Sequence, residues 1–243
     1  MKKISARNAA AKQSSPTQRS RRVLVIDIGG THVKILVSGR TPHRQFDSGP
    51  KLTPKQLVAQ VRKLTADWPF DAVSIGYPGP VRHNQPMEEP WNLGKGWMRF
   101  NFRAGFQRPV KMINDAAMQA LGSYRGGKML FLGLGTGMGS AMVVEHIVVP
   151  MELAHLTYQD ATFEDYLGIR GLQKYGESQW RQHVKNVVKQ LTAALLPDDV
   201  VLGGGNVHRL KKLPPGCRAG DNANAFLGGL RLWAGTDGAK RIS

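Results

Sequence analysis

Three short stretches of this chain have the residue types needed to move a phosphoryl group: Gly29-Gly30-Thr31, Gly135-Thr136-Gly137, and Asn114-Asp115 between them. The first turn follows Asp27, an acid at the end of an apolar run. With no Cβ in the way, the backbone N–H groups of such a turn can approach phosphate oxygens, and a carboxylate beside them can hold a hydrated Mg²⁺. Read alone, Gly-Gly is equally an ordinary hairpin turn that needs no ligand. The second turn lies in Leu134-Gly135-Thr136-Gly137-Met138-Gly139-Ser140 and resembles the glycine fingerprint of a dinucleotide fold. That fingerprint has to open a helix, whereas Ala141-Met142-Val143-Val144 continues as a strand, so the dinucleotide reading fails. Two glycine-threonine hairpins, one per half, would face each other across a cleft and clamp a phosphate chain from both sides.

Asn114-Asp115 sits where a strand passes into a helix. The Asn can hydrogen-bond a sugar hydroxyl, and the Asp can accept its proton as that oxygen attacks phosphorus. An Asp at this junction serves equally well as a helix N-cap. In Glu152-Leu153-Ala154-His155 the two polar side chains share a face if the segment turns helically, although a lone Glu or His is more often a satisfied surface or core residue.

The elements that must position these groups are legible as periodic runs. Residues 22–28 and 33–37 read as a β-hairpin around the first turn, and 128–134 and 140–144 repeat that logic about a hundred residues later, so the chain looks like two related halves. Thr53-Pro54 opens a helix with Leu57, Val58, Val61 and Leu64 on one face, ending near Trp68-Pro69. Residues 72–75 form a strand running into a Gly/Pro loop at 76–80, and 109–113 form the strand ahead of a helix over 116–121. Residues 81–107 have no clear period. A helix over 178–196 gathers Trp180, Val184, Val187, Val188, Leu191 and Leu195 on one arc. Beside that arc Arg181, Lys185 and Lys189 form a stripe, either a solvated face or a polyanion track. After a strand at 200–202, Gly203-Gly204-Gly205 turns into a further helix near Asn206, and a final helix spans 223–233.

At 243 residues and 41% apolar content the chain is long enough to bury a sizeable core. The lone Cys217 excludes an internal disulfide and a multi-cysteine zinc site, which favours a reducing cytoplasm. No apolar run approaches the roughly 20 residues that span a bilayer. Residues 1–22 hold seven Lys or Arg and no acid, and read as a disordered basic tail, with an organelle transit peptide as the alternative. Removing that stretch from the net charge of +17 leaves +10 on the remainder, a field that gathers polyanions or simply keeps the protein soluble.

Together these segments resemble the ROK family of the actin-like ATPase superfamily, and within it the polyphosphate glucokinases. The resemblance rests on residues 27–31, 76–79, 92–97, 114–116, 134–139, 152–155, 163–168, 201–206 and 221–233, in that order. It implies an α/β, actin-like (ribonuclease H-like) two-domain fold with a central cleft. The first domain would cover 23–114, joined by the C-terminal helix 223–243, and the second 115–222. Asp115 looks like the general base; Asn114, Glu152, His155, Asn92 and Gly79 look like sugar ligands. Asp27, Gly29, Gly30, Thr31, Gly135, Thr136, Gly137, Gly203 and Gly204 look like donor contacts, Asp27 touching Mg²⁺ through water.

The resemblance further implies transfer from inorganic polyphosphate or ATP to glucose or a similar hexose, in a cytoplasmic homodimer without zinc or a membrane. The departures are Glu-Leu-Ala-His in place of the family's Glu-Leu-Gly-His, the missing zinc-binding cysteines, and Ala117 where polyphosphate users often carry a second acid. A strictly ATP-dependent hexokinase and a sugar-sensing DNA-binding regulator are the competing readings. The residues ahead of Asp27 lack helical periodicity for a helix-turn-helix, so specific nucleic-acid binding is not expected.

Overall fold

The computed structural model describes residues 21–234, so most of the basic N-terminal stretch and residues 235–243 lie outside the described residues. In chain order the elements are β1 (Val23–Ile28), β2 (His32–Val37), β3 (Arg44–Asp47), α1 (Pro54–Leu64), β4 (Ala72–Tyr77), β5 (Val81–Arg82), β6 (Gln85–Pro86), α2 (Phe102–Phe106), β7 (Val110–Asn114) and α3 (Asp115–Ser123). They continue with β8 (Lys128–Leu134), β9 (Met138–Val144), β10 (Ile147–Met151), β11 (Thr157–Tyr158), β12 (Ala161–Thr162), α4 (Phe163–Leu167), α5 (Ile169–Leu195), β13 (Asp199–Gly203), β14 (Cys217–Ala219) and α6 (Asn224–Arg231).

Two five-stranded sheets have the same plan. The first runs β3-β2-β1-β4-β7 and the second β10-β9-β8-β13-β14. In each, three antiparallel strands lead into two parallel additions. The repeat of hairpin logic seen in the sequence is therefore a repeat of topology.

Period-2 alternation decides what each strand shows to either side. Leu24, Ile26 and Ile28 of β1 pack outward with Leu57, Val58 and Val61 of α1 and Phe102 and Phe106 of α2. Val23 and Val25 pack inward with Met118 of α3 and Ala225 and Phe226 of α6. Asp27 shares their parity and so faces α3. In the second sheet Leu130 and Leu132 pack outward with Trp180, Val184 and Val187 of α5. Met129 and Phe131 pack inward with Ala116, Ala117 and Ala120 of α3. The layers are thus α1/α2, first sheet, α3 with α6, second sheet, α4/α5.

The two central helices cross backbone on backbone. A Cβ at Gly122 would collide with the Asn224 carbonyl, and one at Gly228 with the Met118 carbonyl. Arg231 caps the end of α3 by donating to the carbonyls of Leu121, Gly122 and Tyr124 at 2.7, 3.1 and 2.9 Å. Ser74 Oγ donates to Gly229 O at 2.6 Å, which fixes α6 to the first sheet.

Several elements differ from expectation. The helix opened by Thr53-Pro54 has a full capping box with Gln56, worth about 1 kcal/mol, but stops at Leu64. Strand β4 runs on through Gly76 and Tyr77, and β3, β10 and α4 are additional. Within α5 two helices meet at Gly176, whose φ of 72° is in the left-handed region; the second is the helix expected over 178–196, and the short one from Ile169 is additional. No helix forms at Asn206; a single 3₁₀ turn, Val207–Arg209, stands there. The basic stripe is broken, because Arg181 Nε donates to Arg209 O at 2.6 Å and its guanidinium pairs with Glu177. No described helix is long and apolar enough to cross a membrane.

Candidate active site

Asp27 is the penultimate residue of β1, beside Gly76 of the parallel strand β4. Beyond it the first turn closes through Gly29 N donating to His32 O at 3.0 Å, and Ser48 braces it, Oγ to Gly29 O at 2.8 Å and N to Thr31 O at 2.9 Å. Among the described residues, the amides of Gly30 and Thr31 donate to no protein atom. The second turn closes through Gly135 N to Gly137 O at 3.0 Å, and the amides of Thr136 and Gly137 are likewise unclaimed.

The two turns face each other. A Cβ on Gly30 would stand 4.0 Å from Thr136 Oγ1 and 2.9 Å from Asn92 Nδ2. Unclaimed backbone donors on two turns that approach each other are groups an anion can meet, because their dipoles favour negative charge.

Asn114 and Asp115 divide the strand-to-helix junction between them. Asn114 is the N-cap: its Oδ1 accepts the Ala117 amide at 3.0 Å, while Nδ2 donates to Gly79 O at 3.2 Å. Capping by Asp115, the alternative open in the sequence, does not occur. Its Oδ1 accepts only the adjacent Ala116 amide, at 2.7 Å. Burial pushes the Asp115 carboxyl up to about 7, with the charges of Asp27 and Glu152 adding to the effect. Burial also pushes Asp27 up to about 6, opposed by Lys34, its cross-strand partner. A carboxyl that titrates near neutrality is suited to taking a proton from a hydroxyl.

Glu152 and His155 come together across the 3₁₀ turn Leu153–His155, with Glu152 Oε2 4.0 Å from His155 Nε2. Ser140 holds that segment against β9, donating to Met151 O at 2.7 Å and accepting Leu153 N at 3.2 Å. Glu152 is half-exposed, and burial of its inner side raises its pKa, opposed by His155 and reinforced by Glu88 and Glu164. Ala154, the departure from the family pattern, is buried in the second sheet's outer core, so its methyl does not narrow the cleft. Ala117 is fully buried between α3 and the second sheet, a position where an acid would be desolvated.

Gly203 and Gly204 belong to the second turn's framework. Gly204 has φ +86°, and a Cβ there would collide with Leu134. Asn206 N donates to Leu134 O at 2.9 Å and its Nδ2 to Gly135 O at 3.0 Å. Glu164, which the sequence reading did not single out, lies against Gly137, accepts the Met138 amide at 3.4 Å, and pairs with Arg170 at 3.4 Å. Its signals in the sequence are its place in the family-like stretch 163–168 and in the first turn of a helix opened by the Thr162/Asp165 capping box.

Among the described residues no cluster of three or more His, Cys, Asp or Glu could hold a metal by itself. A Mg²⁺ held by one or two carboxylates, water and donor phosphates needs no such cluster. The mutual repulsion that raises Asp115 beside Asp27 is what a cation there would relieve, so the residues fit a hydrated Mg²⁺ at Asp27.

Comparison with known proteins matches residues 23–150, more than half of the chain, to the model of the ROK family. Polyphosphate glucokinase of Mycobacterium tuberculosis (strain CDC 1551 / Oshkosh) is 27% identical over 214 residues, covering 78% of this chain and 80% of that protein. Among solved structures, the inorganic polyphosphate/ATP-glucomannokinase of Arthrobacter sp. strain KM superposes with a TM-score of 0.73 at 22% identity, covering 87% of this chain and 97% of that one. The ROK hexokinase of Thermus thermophilus gives 0.67 at 20% identity, covering 86% and 97%. At those identities the two superpositions establish a shared fold.

Proposed function

Because the chain belongs to the ROK family, we propose that it is a sugar kinase transferring the terminal phosphoryl group of inorganic polyphosphate, and of ATP, to the 6-hydroxyl of glucose or a similar hexose. The observation that carries this reading is the pair of glycine turns, with four unclaimed amides, meeting beside the carboxyl of Asp115. The resemblance to a polyphosphate glucokinase and to a polyphosphate/ATP-glucomannokinase supports the choice of donor and acceptor.

In this mechanism the sugar lies against Glu152, His155, Asn114, Asn92 and the Gly79 segment, with Glu164 as a further hydroxyl partner. Asp115 takes the proton of the 6-hydroxyl. The freed oxygen forms a bond to the terminal phosphorus as the bridging P–O bond breaks, and the electron pair leaves with the shortened polyphosphate or with ADP. The amides of Gly30, Thr31, Thr136 and Gly137 hold the transferring group's oxygens, stabilisation that acts where charge is displaced. Gly203 and Gly204 support the donor side, next to the nucleoside when ATP is used. Mg²⁺ near Asp27, when bound, neutralises phosphate charge.

The lone Cys217 is partly buried and its thiol is pushed up to about 11 by burial, which makes it a poor nucleophile. Incubating the protein with glucose and polyphosphate, and separately with glucose and ATP, tests the reading; absence of glucose 6-phosphate from both mixtures would refute it.

A further inference from the structure

Two loops rich in cations flank the first glycine turn, with one carboxylate among them, Glu89, which accepts the amides of Gly96 and Trp97 at 2.9 and 3.1 Å. Ser48 ties the loop at 48–52 to it, and Asn92 of the loop at 91–99 lies beside Gly30. Gly94 N donates to Leu52 O at 3.0 Å and so lays the loops side by side. Helix α2 then packs on α1, where a Cβ at Gly105 would meet Val58 Cγ2 at 3.2 Å. From residue 48 to 66 and from 90 to 114 the sequence has no Asp or Glu. Lys51, Lys55, Lys95, Arg99 and Arg103 are all exposed, and among the described residues none of them is in an ion pair.

An open groove of about 420 Å³ leads from the turn onto this face, lined by Ser48, Lys51, Gln56 and Gln60, with Asp47 at its edge beside His32. On the opposite side of the cleft several arginines are paired. There Arg170 is held by Glu164 and Asp165, Arg181 and Arg209 by Glu177, and Arg218 by Asp199. Lys185, Lys189, Lys211 and Lys212 of that half are also exposed and in no ion pair among the described residues, but they do not belong to the two loops beside the first glycine turn.

We propose that the groove at 48–60 and the exposed face of α1 and α2 form a docking track for the distal phosphates of an inorganic polyphosphate chain whose reacting end lies between the two glycine turns. This rests on the polyphosphate reading above. ATP and tripolyphosphate are too short to run along the track. A long chain that meets several unpaired cations releases counterions, so its affinity falls steeply with salt.

The test is direct binding of end-labelled long-chain polyphosphate to the full chain, without sugar, for wild type and for Lys55→Glu/Arg99→Glu/Arg103→Glu. A Gln triple serves if the Glu triple does not fold. The variant is expected to bind the long chain at least about tenfold more weakly, with a shallower salt dependence, while KM for tripolyphosphate and for ATP stays within about twofold. Unchanged affinity for the long chain, or an equal loss for tripolyphosphate, would overturn the track. So would a single-stranded DNA of equal charge competing as well as polyphosphate, which would mark a general polyanion face. Binding is read without turnover, so a wild type that forms no sugar phosphate yet loses long-chain affinity in the variant refutes the donor assignment and leaves the track standing.

Discussion

Asn114 caps α3 and thereby leaves its neighbour Asp115 free of capping: the Asn114 carbonyl takes the Ala117 amide at 3.0 Å, while Asp115 accepts only from Ala116. The sequence offers Asp115 as the cap, and the structure gives that task to Asn114. Replacing Asn114 with Ala is expected to cost about 1 kcal/mol of stability through the lost cap. Asn114→Asp keeps the cap but sets another charge beside Asp115, and the acidic limb of its pH profile should move to higher pH. Denaturant unfolding and pH–rate profiles of both variants check this.

The pH dependence follows from the raised carboxyls. Asp115 titrates near 7, and its ionised form is the base, so kcat/KM for the sugar should fall as pH drops through about 7. Asp27→Asn removes the charge that helps raise it, and is expected to shift the surviving activity's acidic limb to lower pH.

The same groups act on stability with the opposite sense. A carboxyl whose folded pKa exceeds its unfolded value is more protonated in the native state between the two, so its penalty appears as pH rises from about 4 through 7. Asp115→Asn should therefore raise Tm at pH 8, by roughly 2–4 °C for about 1 kcal/mol, and leave it unchanged at pH 3.5. A lower Tm at pH 8 would count against a strained, desolvated Asp115.

The crossing of α3 and α6 tolerates no Cβ. Gly228→Ala drives a methyl into the Met118 carbonyl, a backbone atom that cannot rotate away. A loss of at least about 3 kcal/mol is expected, seen as a lower denaturant midpoint or as insoluble protein. Gly135→Ala, where a Cβ meets nothing within 4 Å, is the matched control.

Much of this arrangement is legible in the sequence. The hairpins, the buried faces of α1 and α5, and the order of the glycine turns follow from period and punctuation, because each buries one regular stripe. Strand β3, with Phe46 as its sole apolar residue, is an edge strand held by backbone pairing to β2. Strand β10 carries Pro150 and exposed Ile147 and Val149, so burial gave it no pattern. The short helix ahead of Gly176 buries only Gly171 and Leu172, too few apolar positions to set a period. The expected helix at Asn206 failed because that residue's amides are spent on Leu134 and Gly135, a tertiary contact invisible to local propensity. Glu164 was passed over for the same reason, since only the fold brings it to Gly137.

The most direct test of phosphoryl transfer through Asp115 is the steady-state kinetics of Asp115→Asn with glucose and each donor. Loss of the base is expected to lower kcat by about 10²–10⁴-fold with KM for glucose within about threefold of wild type. A variant turning over within about tenfold of wild type would contradict the assignment of Asp115 as the base.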